Sequence, residues 1–353
     1  MYKILAINPG STSTKIAIYA DTEELFKTSI EHSSEEVKKY ENIADQYAMR
    51  YEAIMKFLKE VNFDVKDLSA VVGRGGILPP VKSGAYRVND SMVERLSKRP
   101  VVEHASNLGA IISYAIAKPL NIPAFIYDSV AVDEFEDIAR ISGLADIKRE
   151  SFIHALNMRA AAIKTAKKLG KPYEQCNLVV AHLGGGISLT VHKGGKMIDA
   201  VTDEEGPFSP ERSGRVPCKR LIEMCYKNDE RTMKKKIRGD GGLISYLGTN
   251  SALDVEKRIE NGDAEAKLVY EAMAYQIAKS IGELATVVKG KVDAVVITGG
   301  IAYSKMMTEW VKERVEFIAP VEILPGENEL ESLALGALRV IKGEEKAHEY
   351  DLD

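Results

Sequence analysis

Seven short stretches of this chain, several of them beside glycines, carry side chains that suit work on phosphate and carboxylate groups. The first is His182-Leu183-Gly184-Gly185-Gly186, entered by the apolar run 178–181 and left by the alternating run 187–191. Three successive residues without Cβ let a ligand reach the backbone, and their N–H groups can point at an anion. The pattern recurs at the start of the chain. There Ile4–Ile7 leads into Asn8-Pro9-Gly10-Ser11-Thr12-Ser13-Thr14, and Lys15–Tyr19 leads away. One glycine turn between two strands reads by itself first as a plain tight hairpin; its recurrence points to two phosphate-cradling turns. Arg74 stands among Gly73, Gly75 and Gly76 after the apolar run 68–72. Asp128 follows the strand pattern 123–127, a position that suits a ligand-facing carboxylate and a cap of the next turn equally. His154 precedes an alanine- and lysine-rich helix, where a histidine can also be purely structural. Arg212 lies in the polar loop 203–214, and Gly299-Gly300-Ile301-Ala302-Tyr303 closes the buried run 293–298.

These residues need elements to hold them. Helical periodicity appears over 36–61, with Tyr47, Tyr51, Ile54, Leu58 and Val61 on one face, and from Glu103 to Ala117. Further helices are predicted at 217–227, 230–237, 263–289 and 331–342, with a last strand at 320–324. His104, at the start of the second of these helices, suits a ligand contact or a cap. Strand, polar turn and strand near residue 10 and again near 185 predict two similar halves that meet at a cleft. The chain passes from one to the other near residue 150, and its last helix returns to the first half.

Composition narrows the function. The 353 residues suffice for two cores, and a formal charge of −4 argues against a nucleic-acid binder. Lys234-Lys235-Lys236 with Arg238 reads as a solvated helix face among acidic neighbours. No apolar run approaches the length of a membrane span, the chain opens directly on a strand, and its three cysteines lack metal spacing. A cytoplasmic enzyme with reduced thiols is expected. There is no Walker A loop, no G-x-G-x-x-G after a strand and no G-x-S-x-G elbow.

Taken together, the segments 7–15, 72–76, 154–157, 182–186, 206–214 and 298–303 resemble the acetate kinase, sugar kinase, Hsp70 and actin superfamily. Within it they resemble the short-chain acyl kinases of the acetokinase family. The likeness spans essentially the whole chain, and Gly206-Pro207-Phe208-Ser209-Pro210-Glu211-Arg212-Ser213-Gly214 is its most specific part. It implies an α/β fold of two ribonuclease-H-like (actin-like ATPase) domains, each a mixed sheet with flanking helices, around a central cleft. The domains would be residues 1–150, joined by the C-terminal helix segment 327–353, and residues 151–326.

The resemblance also implies roles. Arg74 would bind the carboxylate of the acid, Asp128 would be the acidic active-site residue, and His154 and Arg212 would stabilise the transition state. ATP or ADP would be held by Asn8, Ser11, Ser13, Lys15, His182, Gly184, Gly185, Gly186, Gly299, Gly300, Ile301, Ala302, Tyr303 and Ser304. Mg2+ would lie near Asn8, Asp128 and Glu329, with Glu331 as the alternative to the last. The reaction would transfer the γ-phosphoryl of ATP reversibly to butyrate, isobutyrate or a branched relative. Acetate or propionate is the alternative acid, and an actin- or Hsp70-like ATPase the alternative class. A homodimer or larger homo-oligomer is expected. Acetate kinases carry bulky valines where Gly75 and Gly76 stand here, and phenylalanine where Ile153 stands. Their loss is expected to open an acyl pocket for two or three further carbons.

The chemistry is consistent with these residue types. A carboxylate is already nucleophilic at neutral pH, so the obstacle is bringing one anion up to another. Cations and positioning, rather than a strong base, are what phosphoryl transfer requires.

Overall fold

The computed structural model describes residues 1–351. The chain divides into two compact units, Met1–Asp133 with the segment from Asn328 onward, and Glu134–Glu327. Of the predicted returning segment 327–353, residues 352 and 353 lie outside the described residues.

The first unit is built on a six-stranded sheet. Its strands are β1 (Lys3–Pro9), β2 (Ser13–Ala20), β3 (Glu23–Glu31), β4 (Ala70–Arg74), β5 (Ala85–Arg87) and β6 (Ala124–Tyr127), in the order β3-β2-β1-β4-β6-β5. β1, β2 and β3 form an antiparallel meander, while β1, β4 and β6 run parallel. Ile4–Ile7 and Ala70–Val72 are fully buried, as expected of central strands covered on both faces. The helix Asn107–Leu120 covers one face. Gly73 and Gly109 meet there backbone to backbone, and a Cβ on either would overlap the other chain segment. On the opposite face the helix Glu329–Ile341 sets Gly336 against the Tyr127 ring.

The second unit holds a five-stranded sheet of β7 (Leu178–Leu183), β8 (Ile187–Lys193), β9 (Lys196–Val201), β10 (Ala294–Gly299) and β11 (Val321–Pro325). Its order is β11-β10-β7-β8-β9. β7, β8 and β9 again form an antiparallel meander, and β10 runs parallel to both β7 and β11. Strand for strand this repeats the order β6-β4-β1-β2-β3 of the first unit, with β5 as an added edge strand there. The predicted pair of similar halves is thus a repeated topology, the two-domain actin-like ATPase fold. The core of this unit packs the helix Ala264–Val287 against the sheet, with Val269, Tyr270, Met273 and Ile277 among its buried side chains. The helix Ala155–Lys168 packs on β7 and β10.

Several boundaries differ from the sequence reading. The predicted helix 36–61 is three pieces: Ser34–Val37, a 3-10 turn at Ile43–Gln46 and the helix Tyr47–Glu60. The partition falls after Asp133 rather than at 150, because the segment 134–150 is stitched to β9. Glu136 N–H donates to Ile198 O at 2.9 Å, and Arg149 Nη1 donates to Asp199 Oδ1 at 3.0 Å. Among the described residues no helix is long and apolar enough to cross a membrane.

Candidate active site

The predicted residues gather into two sets, one in each unit. In the first unit, Asn8, Arg74 and Asp128 stand at the carboxyl ends of the adjacent parallel strands β1, β4 and β6, the edge where open α/β sheets bind ligands. Asn8 is 5% exposed and donates through Nδ2 to Glu329 Oε2. Arg74 Nη1 lies 2.8 Å from Glu329 Oε1 and 3.5 Å from Asn8 Oδ1. Glu329, in the first turn of its helix, thus contacts both Asn8 and Arg74.

Asp128 is buried and adopts φ +41°, a conformation that a non-glycine residue rarely takes. Gly84 holds it there. Asp128 N–H donates to Gly84 O at 3.1 Å, and Gly84 N–H returns a bond to Asp128 Oδ1 at 2.7 Å. Gly84 itself needs φ +102°, open to glycine at little cost. The sequence reading missed this clamp.

The turn between β1 and β2 rests on a side chain the sequence reading also missed. Arg50 is fully buried beneath it. Its Nη2 donates to Ser11 O at 3.0 Å, and its Nη1 donates to Ser13 O at 2.9 Å and Thr14 Oγ1 at 3.0 Å. Gln46 Oε1 accepts from Nε and Nη2. Burial lowers the Arg50 pKa; burial and the Arg50 charge lower that of His32, bonded through Nε2 to Thr14 Oγ1 at 2.9 Å. With their carbonyls turned inward to this guanidinium, the turn residues are fixed from below. Ser11 and Lys15 are exposed, and Lys15 pairs with Asn8 in the β1–β2 register.

Gly75 and Gly76 do not open a pocket, which corrects the sequence expectation. A Cβ on Gly75 would lie 2.6 Å from Ser129 Cβ. One on Gly76 would lie 2.6 Å from Asn107 Oδ1, 2.8 Å from Asn107 Cα and 3.0 Å from Leu96 Cδ2. Both glycines are required by the close packing of their backbone against Ser129 and Asn107.

In the second unit, His154 and His182 are brought together. Their rings stack with centroids 4.0 Å apart and planes 14° from parallel. His154 Nδ1 lies 2.8 Å from Ser188 Oγ. His182 Nδ1 faces the Asn157 amide nitrogen at 2.8 Å; an amide N–H only donates, which assigns the His182 proton to Nε2. Nε2 lies 3.7 Å from Glu327 Oε1.

The triple-glycine turn follows directly. Gly184 N–H donates to Gly186 O at 3.1 Å, and Gly185 O accepts from Ser209 Oγ at 2.7 Å. The loop carrying Arg212 is thereby tied to the turn, and the Arg212 guanidinium lies where a side chain on Gly186 would stand. Arg212 Nη1 donates to Asp203 Oδ2 at 2.5 Å. Asp203 was not singled out from sequence; one aspartate in an acidic loop carries no signal of its own there.

At the end of β10, Gly299 takes φ +94° and exchanges backbone bonds with Gly326, while Gly300 has open space where a Cβ would stand. Ile301 and Ala302 are buried, Tyr303 is exposed, and Ser304 Oγ caps the helix Lys305–Val315 by accepting from Met307 N–H at 3.0 Å.

Two ribonuclease-H-like units, each with a hairpin turn suited to phosphate, define the class of actin-like ATPases and kinases. The profile of the acetokinase family matches residues 146–343, and the chain belongs to that family. It is 51% identical over 355 residues to butyrate kinase 1 of Clostridium acetobutylicum, covering 99% of this chain and all of that protein. It is 49% identical over 353 residues to butyrate kinase 2 of the same organism, at 99% of each chain. Among solved structures, Porphyromonas gingivalis acetate kinase superposes with a TM-score of 0.79 at 19% identity. That match covers 94% of this chain and 98% of the other, a likeness of fold.

Proposed function

We propose that this chain transfers the γ-phosphoryl group of ATP reversibly to butyrate or a close short-chain relative, giving the acyl phosphate and ADP. One observation supports the choice of acid above the others: the near full-length likeness, at about half identity, to two butyrate kinases. The geometry supplies the chemistry. Arg74 Nη1 already holds a carboxylate, that of Glu329 at 2.8 Å, and in this reading the acid's carboxylate takes a place on the same guanidinium. His154 and Arg212 take oxygens of the moving phosphoryl group, and the N–H groups of Gly184–Gly186 and the open backbone at Gly300 receive the nucleotide.

Asn8, Asp128 and Glu329 are assigned to Mg2+. They would offer it oxygen donors from one amide and two carboxylates. Among the described residues no group of three or more histidine, cysteine or acidic side chains is placed to hold a metal ion by itself. An open set of this kind suits Mg2+, which keeps waters and phosphate oxygens and borrows only one or two protein carboxylates. When bound, the ion would neutralise charge on the β- and γ-phosphates. The protein's own part is to orient the carboxylate through Arg74 and to fix the acidic group of Asp128 through Gly84. The reading extends to a cytoplasmic homodimer or larger homo-oligomer, a state that sedimentation tests directly.

Trapping the product with hydroxylamine tests the activity. ATP with butyrate should give acyl hydroxamate in proportion to the acid supplied, and acetate should give less. ATP hydrolysis that ignores the acid would refute the proposal and favour a plain ATPase.

A further inference from the structure

Arg212 is held from several sides. Its carbonyl accepts from Ser209 N–H at 3.0 Å, and its backbone forms an isolated antiparallel bridge with Arg238. Ser213 N–H donates to Ile237 O at 3.0 Å, and Gly239 N–H donates to Glu211 O at 2.7 Å, so the loop is pinned on both sides of Arg212. That fixes the backbone. An arginine side chain still has rotamer entropy to lose, and its head can sweep widely unless something stops it.

Asp203 stops it. Its side chain is 6% exposed against 20% for Arg212, so a buried carboxylate anchors a head that remains accessible. The bond runs from Nη1 to Oδ2 at 2.5 Å. Arg238 Nη2 stands 3.8 Å from the same oxygen, a second cation beside the buried carboxylate. Gly186 forms the floor, because a Cβ there would overlap Nη1. Among the described residues the guanidinium makes no other bond, so the donors on Nη2 and Nε are available to phosphoryl oxygens.

We propose that Asp203 is a positioning residue for phosphoryl transfer, seating the Arg212 guanidinium over Gly186 before the substrates arrive. The inference rests on the assignment of Arg212 to the transferred phosphoryl group. It makes a prediction that simple electrostatics would reverse. A carboxylate beside the site weakens its positive field, so removing the charge alone should help an anionic nucleotide bind. If Asp203 works by position, its loss lowers kcat and leaves the KM for ATP unchanged or smaller.

The test is a double-mutant cycle on the full chain, with ATP and butyrate kinetics and thermal unfolding of every variant. Asp203→Asn keeps the shape and loses the charge. It should lower kcat about a hundredfold, the scale of a misplacement by about 1 Å, with the KM for ATP unchanged or smaller and that for butyrate no more than about doubled. Asp203→Glu keeps the charge but moves the carboxylate by one methylene, and should lose about tenfold in kcat while folding normally. In an Arg212→Ala background neither change should cost anything further, because Asp203 acts through that side chain. Wild-type kcat in both variants, or a loss of the same size with Arg212 already removed, would overturn the proposal. An Arg212→Ala enzyme within a few-fold of wild type would instead overturn the assignment of Arg212 on which it rests.

Discussion

Replacing Gly76 by alanine should destabilise the first unit rather than trim an acyl pocket. The new methyl would stand 2.6 Å from Asn107 Oδ1 and 2.8 Å from Asn107 Cα, where about 3.4 Å or more is ordinary contact. Neither atom is free to yield. Asn107 is 3% exposed, its Oδ1 accepts from Ile77 N–H at 2.9 Å, and its Nδ2 donates to Val102 O at 2.9 Å. Overpacking costs about 1–3 kcal/mol, and losing the Ile77 bond adds about 1 kcal/mol or more. A total of roughly 2–4 kcal/mol corresponds to about 5–15 °C in the melting temperature of a unit this size. Thermal unfolding, with kcat/KM measured on acetate, propionate, butyrate and isobutyrate, separates the two ideas. The packing account expects a lower melting temperature and a similar proportional loss on all four acids. An unchanged melting temperature with selective loss of the longer acids would refute it and restore the pocket.

Arg74→Lys removes the fork that matches a carboxylate, and should raise the KM for the acid about tenfold or more while leaving that for ATP near wild type; steady-state kinetics on each substrate checks this. Arg50→Met strips the donors from Ser11 O, Ser13 O and Thr14 Oγ1, and should cost about 3 kcal/mol, read as a lowered urea midpoint. His192 is fully buried between Tyr173 and Thr190, and burial, aided by the Arg159 charge, lowers its pKa to about 3. The unfolded chain takes up this proton near pH 6.5 and the folded chain only near 3. The stability this group contributes is therefore complete above pH 6.5 and falls by about 1.4 kcal/mol per pH unit below it. Urea unfolding of wild type and His192→Gln at pH 7 and 4.5 should show the variant less acid-sensitive by about 2–3 kcal/mol; equal sensitivity would contradict the assignment.

What could be read from sequence was what local pattern determines. The hairpins around residues 10 and 185, the buried strands and the long helix Ala264–Val287 announce themselves by apolar period, and their glycines by position. β3 (Glu23–Glu31) carries no such signal, because it is an edge strand whose side chains lie largely in solvent and show no buried face. The loss of helix between Val37 and Ile43 was missed because an apolar face persists across that break. The candidate residues came from their neighbours: Arg74 from its glycines, Asp128 and His154 from element ends, Arg212 from its loop. The groups that hold them did not, since Gly84, Arg50, Asn157 and Asp203 act across the fold and resemble any glycine, arginine, asparagine or aspartate nearby in sequence. Gly75 and Gly76 make the same point in reverse. Sequence shows that a side chain is missing, and only the fold shows that Asn107 and Ser129 fill the space.

The central claim is that a carboxylate oxygen of a short-chain acid attacks the γ-phosphorus of ATP. Butyrate labelled with 18O in both carboxylate oxygens, incubated with the enzyme, ATP and Mg2+, tests it directly by 31P NMR of the acyl phosphate. The account predicts an isotope-shifted phosphorus signal from one 18O retained in the bridge between acyl carbon and phosphorus, with none in ADP. Phosphate released without acyl phosphate, or acyl phosphate whose phosphorus carries no 18O, would contradict it.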